Sequence, residues 1–174
     1  MALSYTITGK CSTFGGPDDH GVSPSEGLAL YDMDQVHLLN YSYNHELLYL
    51  FLRKQPQGTT GTARRLNPDA FYIATRWDYN RTPQEWLRKN PVVVTAVDEK
   101  GIHGKSFHAW PVDWGPAAWT GRIADLSPGL IKALGLDTDD TVIVEVTEPN
   151  QNIPQSIASF NTETIAAGAH ISNA

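Results

Sequence analysis

Two aspartates, Asp113 and Asp125, stand close together in the stretch FHAWPVDWGPAAWTGRIADLSPGLIKALGL (residues 107–136), among Trp110, Trp114 and Trp119 and just ahead of a helix start. Cleaving a glycosidic bond requires a proton for the leaving oxygen, and the acid that supplies it has its pKa raised by burial beside apolar groups. A hydrolase adds a second carboxylate as base or nucleophile. The same residues also fit plainer roles. Asp113, ahead of Gly115-Pro116, suits a turn carboxylate bonding its own backbone. Asp125 precedes Ser127, a helix N-cap, where the helix dipole lowers a carboxylate's pKa and works against an acid role. Trp77, Trp110, Trp114 and Trp119, with Tyr79, offer flat faces to the apolar side of a pyranose ring, although core packing is the commoner fate of a tryptophan. Strict strand alternation puts Phe107, Ala109 and Asp113 on one side and His108 and Trp110 on the other.

The chain that must position these groups has 174 residues, about one domain's length and enough for a sizeable core. Its formal charge of -6 argues against a nucleic-acid partner, because phosphate binding draws on Lys and Arg that displace counterions. Cys11 is the only cysteine, so the fold holds by core packing without an internal disulfide. No signal peptide is visible at the N-terminus, and the longest apolar run, ELLYLFL, is too short to cross a bilayer. The histidines show no metal grammar: His103 and His108 are placed on opposite faces of a strand, and H-E-x-x-H is missing. No cofactor is expected. GTTGTARRL lacks the Walker lysine and GVSPS lacks the nucleophile-elbow glycine. Arg64 and Arg65, with Arg53 and Lys54, form a candidate basic patch for an anionic polymer, or else a solvated loop.

Coarse patterning predicts a strand in SYTITGKCSTFGG, a short buried strand in LALY, and a strand in AFYIATRWDY. TPQEWLRKN predicts a helix with Thr82 as N-cap, Pro83 first and Glu85 third, a capping box. PVVVTAVDEKGIHGKSFHAWPV predicts a hairpin turning at 98–101. SPGLIKALG predicts a helix from Ser127 to Gly135, and DTVIVEVTE a final strand. Residues 34–52 fit two helical turns or a helix and a strand. Five or six strands with two short helices and long glycine-bearing loops suit a small β-barrel with helical inserts.

PVDWGPAAWTGRIADLSPGLIKALGL resembles the signature of the RlpA-like double-psi β-barrel, in which a strand ends in Asp, a Gly-Pro turn follows, and GR-I-x-D-L-S leads into a short helix. GKCSTFGGPDDHGVSPSEGLAL is similar to the opening of those barrels. The resemblance implies a mainly β, six-stranded double-psi barrel with short helices and long loops over residues 1–149, followed by a polar C-terminal extension at 150–174. The superfamily holds lytic transglycosylases, expansins and family-45 glycoside hydrolases, along with non-catalytic defence and inhibitor proteins, so it fixes fold better than activity.

Carried over by motif, the candidate catalytic residues are Asp113, Asp125 and Glu26. Trp114, Trp77, Tyr79 and Trp119, with Arg122 and Asp19, are the candidate substrate-binding set. Val112 and Trp114 stand where the RlpA turn carries Asn and Arg, and the RlpA histidine has no clear counterpart. The resemblance implies a monomer outside the cell or in the periplasm that binds or cleaves peptidoglycan or a related polysaccharide. The rival expectation is a non-catalytic expansin-like binder or an inhibitor-like module.

Overall fold

The computed structural model describes residues 3–39, 45–54 and 59–149, together with the backbone of 170–171. In chain order the elements are β1 (Ser4–Thr13), α1 (Met33–Leu39), α2 (His45–Leu48), β2 (Tyr72–Thr75), α3 (Gln84–Lys89), β3 (Val92–Val97), β4 (His103–Trp114), β5 (Arg122–Leu126), α4 (Pro128–Leu134), β6 (Thr141–Thr147) and β7 (His170–Ile171). The polar extension expected at 150–174 lies outside the described residues except for the β7 backbone.

β-Branched residues alternating with polar ones make the central strands. Val92, Val94 and Ala96 of β3 and Val142, Val144 and Val146 of β6 are buried, and their neighbours in sequence point away. The six strands β1 to β6 follow the order β2-β5-β1-β6-β3-β4, and β4 pairs back onto β2, which closes the ring. Closure pairs each of these six strands on both sides over part of its length. β1 and β5 are parallel, as are β2 and β4, and the other pairs are antiparallel. This is the mainly β, six-stranded barrel with short helices that the sequence predicts, and its two parallel pairs are compatible with a double-psi arrangement. The short β7 adds to the outer side of β4, at Ser106 and Phe107, so β6 is not the last strand.

Turn chemistry holds where expected. Asp98 Oδ1 accepts from the amides of Lys100 and Ile102, and Gly101 takes φ 79° to close the β3–β4 hairpin. Ser127 Oγ accepts from Leu130 N and Gly135 ends α4 at φ 72°. The described residues of 34–52 hold the helical segments α1 and α2, with Phe51 bridging to Leu66.

Two expectations about single elements fail because of contacts far away in sequence. The capping box at Thr82 does not form: the fully buried hydroxyl instead bonds the Asp78 carbonyl (3.1 Å) and Tyr5 Oη (2.8 Å), leaving Pro83 as an N-cap without a side-chain bond. LALY is not a strand. Leu30 N reaches Val112 O (3.3 Å), but Ala29 N is taken by the Asp113 carboxylate, so no ladder propagates; buried Leu30 and Tyr31 anchor the segment as a strap across β4.

The loop after β1 is seated by Tyr72, whose hydroxyl donates to Phe14 O at 2.6 Å. Gly15 follows at φ 88°, and a Cβ there would lie 2.5 Å from that hydroxyl. Gly15→Ala is therefore expected to destabilise the protein by about 2 kcal/mol or more, through left-handed strain and loss of the Tyr72 latch. Urea unfolding of the variant against the parent measures it, and an unchanged midpoint contradicts the seating of this loop.

Candidate functional site

A slip of one residue in each parallel pair brings the two aspartates together. Between β1 and β5, Lys10 pairs with Arg122, but Cys11 pairs with Ala124 and Ser12 with Asp125, leaving Ile123 as an extra residue. Gly9 makes this bulge fit, since a Cβ there would sit 2.8 Å from Ile123 Cγ1. Between β2 and β4, Ile73 pairs with Pro111 but Ala74 with Asp113, so Val112 is extra. Ala74 also pairs with Asp125 across the antiparallel β2–β5 contact. The outcome is one row, Ser12, Asp125, Ala74, Asp113. The two aspartate Cα atoms flank the small Ala74 at about 10 Å, two strand spacings.

Both side chains line an open cleft of about 340 Å³ with Thr13, Phe14, Asp19, Glu26, Ala74, Trp114 and Pro116. A second hollow of about 360 Å³ adjoins it, sharing Thr13, Phe14 and Asp19 and extending to Pro68 and Pro128. The Val112 bulge corrects the alternation expected for β4: Trp110 and Asp113 pair with Tyr72 and Ala74 and so share a sheet face. Trp110 nevertheless stays out of the cleft, because it is buried and lines a different cavity beside Phe71.

The environments of the two acids differ. Asp113 Oδ1 accepts from Ala29 N (2.8 Å) and Trp114 N (2.9 Å), which favours its ionised form. Its pKa is still raised, by burial first, with those amides opposing and Glu26 adding to the rise. Asp125 takes no side-chain hydrogen bond from the described residues. Burial pushes its pKa up to about 6, Arg122 pulls against this, and Asp113 and Asp19 add to it. The lowering expected from the α4 dipole is outweighed, because the free amides of the first turn are spent on Ser127 Oγ and on Pro68 O.

The remaining candidates divide. Trp114 is 46% exposed and walls the cleft, and its indole donates to Trp77 O (3.1 Å). Trp77 is buried and donates in turn to Asp113 O (2.7 Å), so it supports the acid's backbone from behind. Trp119 is 88% exposed on the turn Ala118–Thr120 and Tyr79 is half-buried, and neither lines the cleft. Asp19 lines it, but its carboxylate is occupied by Gly15 N (2.6 Å) and Gly21 N (2.8 Å). Glu26 lines it on the exposed side, accepting from Ser23 N at 3.2 Å. Arg122 lies beside Asp125 in charge but is bonded to Asp139.

Sequence reasoning missed Phe14, Ala74 and two supporting arginines. Arg76 Nη1 donates to Pro116 O (2.6 Å) and Arg122 O (3.0 Å), tying the cleft's rim to β5. Arg64 donates to Val22 O and Asp19 O, so it holds the opposite rim and is no loose basic patch. Only the TFGG turn signal pointed toward Phe14. Among the described residues no group of His, Cys, Asp and Glu is arranged to hold a metal ion, and no helix is long and apolar enough to cross a membrane.

Asp125 is an acid whose folded pKa lies above its unfolded value of 3.8. Its contribution to stability is full below that value and is lost as pH rises through about 6. Asp125→Asn is therefore expected to melt about 2–5 °C higher than the parent at pH 8 and at nearly the same temperature at pH 4. Thermal scans at the two pH values test this, and equal shifts at both contradict the buried-acid assignment.

No family model matches the chain, and no curated protein matches it at a significant level.

Proposed function

We propose that this protein binds and cleaves a cell-wall polysaccharide, peptidoglycan, as a lytic transglycosylase. The observation that carries the proposal is the pair of acids with unlike surroundings facing one open cleft across Ala74. Environments that push two carboxyls apart divide acid from base roles. Asp125, raised to about 6 and with no side-chain hydrogen bond to the described residues, serves as the proton donor. Asp113, held by two amides with Oδ2 left open, supports positive charge developing on the sugar ring.

In this reading Asp125 protonates the glycosidic oxygen as the C–O bond breaks. The resulting carboxylate then takes the proton of the substrate's own C6 hydroxyl, whose oxygen closes on C1 to give a 1,6-anhydro sugar, and the acid is regenerated. Water need not enter. The adjoining hollow past Asp19 gives the groove the length a polymer requires, and Trp114 offers an aromatic face to a ring.

Incubation with purified sacculi tests the reading. The parent is expected to release 1,6-anhydro muropeptides. Asp125→Asn should lose at least about 100-fold of that rate, the usual scale for a general acid, and Asp113→Asn a smaller part. The strongly exposed Trp119 favours the second reading, a non-catalytic wall-binding module; retention on sacculi with no product, unchanged by Asp125→Asn, would establish it instead.

A further inference from the structure

Among the described residues Arg122 is the one cation acting on Asp125, yet it is turned to a different partner. The bulge at Ile123 explains the proximity. Residues three apart on a regular strand lie on opposite faces, but Arg122 pairs with Lys10 and Asp125 with Ser12, so the extra residue returns both to one face. A guanidinium in that position has a carboxylate within its field and ordinarily pairs with it. Instead Arg122 Nε donates to Asp139 Oδ1 (2.9 Å) and Nη2 to Asp139 Oδ2 (3.4 Å).

Asp139 is built into its place. It is the only non-glycine residue with positive φ among those described, at 73°, a conformation that costs about 1 kcal/mol or more and that glycine would adopt freely. Its turn is clamped to β1 from both sides: Asp139 N donates to Cys11 O (2.8 Å), and Cys11 N donates to Asp140 O (2.9 Å). Cys11 precedes Ser12, the β1 partner of Asp125. A strained aspartate, fixed one residue from the acid's neighbour and gripping the guanidinium beside it, is more than an exposed ion pair requires.

We propose that Asp139 is a positioning residue for Asp125: by gripping the Arg122 guanidinium it keeps that cation off the Asp125 carboxyl and keeps the acid able to hold its proton. This rests on the reading of Asp125 as the proton donor. Among the described residues the charged groups acting on Asp125 are Arg122 on its own strand, Asp113 on β4 and Asp19 in the loop after β1; the Cys11 thiol lies on the opposite face of β1 and stays protonated where Asp125 titrates. Ala74 on β2 brings no charge. Asp113 and Asp19 raise the Asp125 pKa together with burial, so the position of Arg122 is the adjustable element.

Asp139→Asn and Asp139→Gly test this, because both residues tolerate the left-handed backbone and the turn survives. Side-chain carboxyl carbon NMR, assigned with Asp125→Asn, follows the titration of Asp125 in each. The midpoint is expected to fall by about one pH unit in both, as Arg122 swings onto the freed acid. Adding Arg122→Gln to Asp139→Asn should return the midpoint to that of Arg122→Gln alone. An Asp125 midpoint that stays put in both Asp139 variants, with the melting temperature kept, overturns the proposal. A midpoint that falls in a protein that releases nothing from sacculi supports the tether and overturns only the catalytic reading.

Discussion

Everything at this site depends on register. Both parallel contacts of the barrel, β1 with β5 and β2 with β4, slip by one residue just before an aspartate. Each slip spoils a little pairing and re-aims one acid. Without them, strict alternation would send Asp113 to the other face of β4 and separate Arg122 from Asp125. With them, two acids meet over Ala74, the smallest side chain that still closes the floor between them. The bulges are held by packing rather than by chance: Gly9 yields room to Ile123, and Val112 is fully buried.

The electrostatics follow from that placement. Four carboxylates border one cleft, and the two that remain structural are the ones consumed by turns, Asp19 wholly and Glu26 in part. Asp113 and Asp125 are left to divide one site between them, and the backbone amides favour the ionised form of Asp113. Two amides converge on the Asp113 carboxylate; among the described residues none reaches that of Asp125. The difference comes from LALY: the segment gives up a strand ladder, and Ala29 N goes to the acid instead.

Much of this architecture was legible in the residues because it is local. Turn and cap chemistry placed the hairpin at Asp98 and the helix from Ser127 to Gly135, and alternating valines marked β3 and β6. The motifs singled out Asp113 and Asp125, which the fold brings to one cleft. What was hidden is non-local. A bulge is a fact about two strands, so nothing in VDWGP or GRIAD announces that Val112 and Ile123 are extra. The same holds for Thr82, which has the right neighbours for a cap but spends its hydroxyl on Tyr5, far away in sequence. Trp77 and Trp114 looked alike as letters; only the fold puts one behind the acid and the other beside it.

The row Ser12, Asp125, Ala74, Asp113 draws on four strands that the chain makes at widely separated times, and β6 must join β1 to β3 before the ring exists. No contiguous peptide contains the site, and neither half of the chain holds both walls of the cleft. A nascent chain therefore cannot assemble this cleft until its last barrel strand is made and docked, which ties the appearance of the paired acids to completion of the fold.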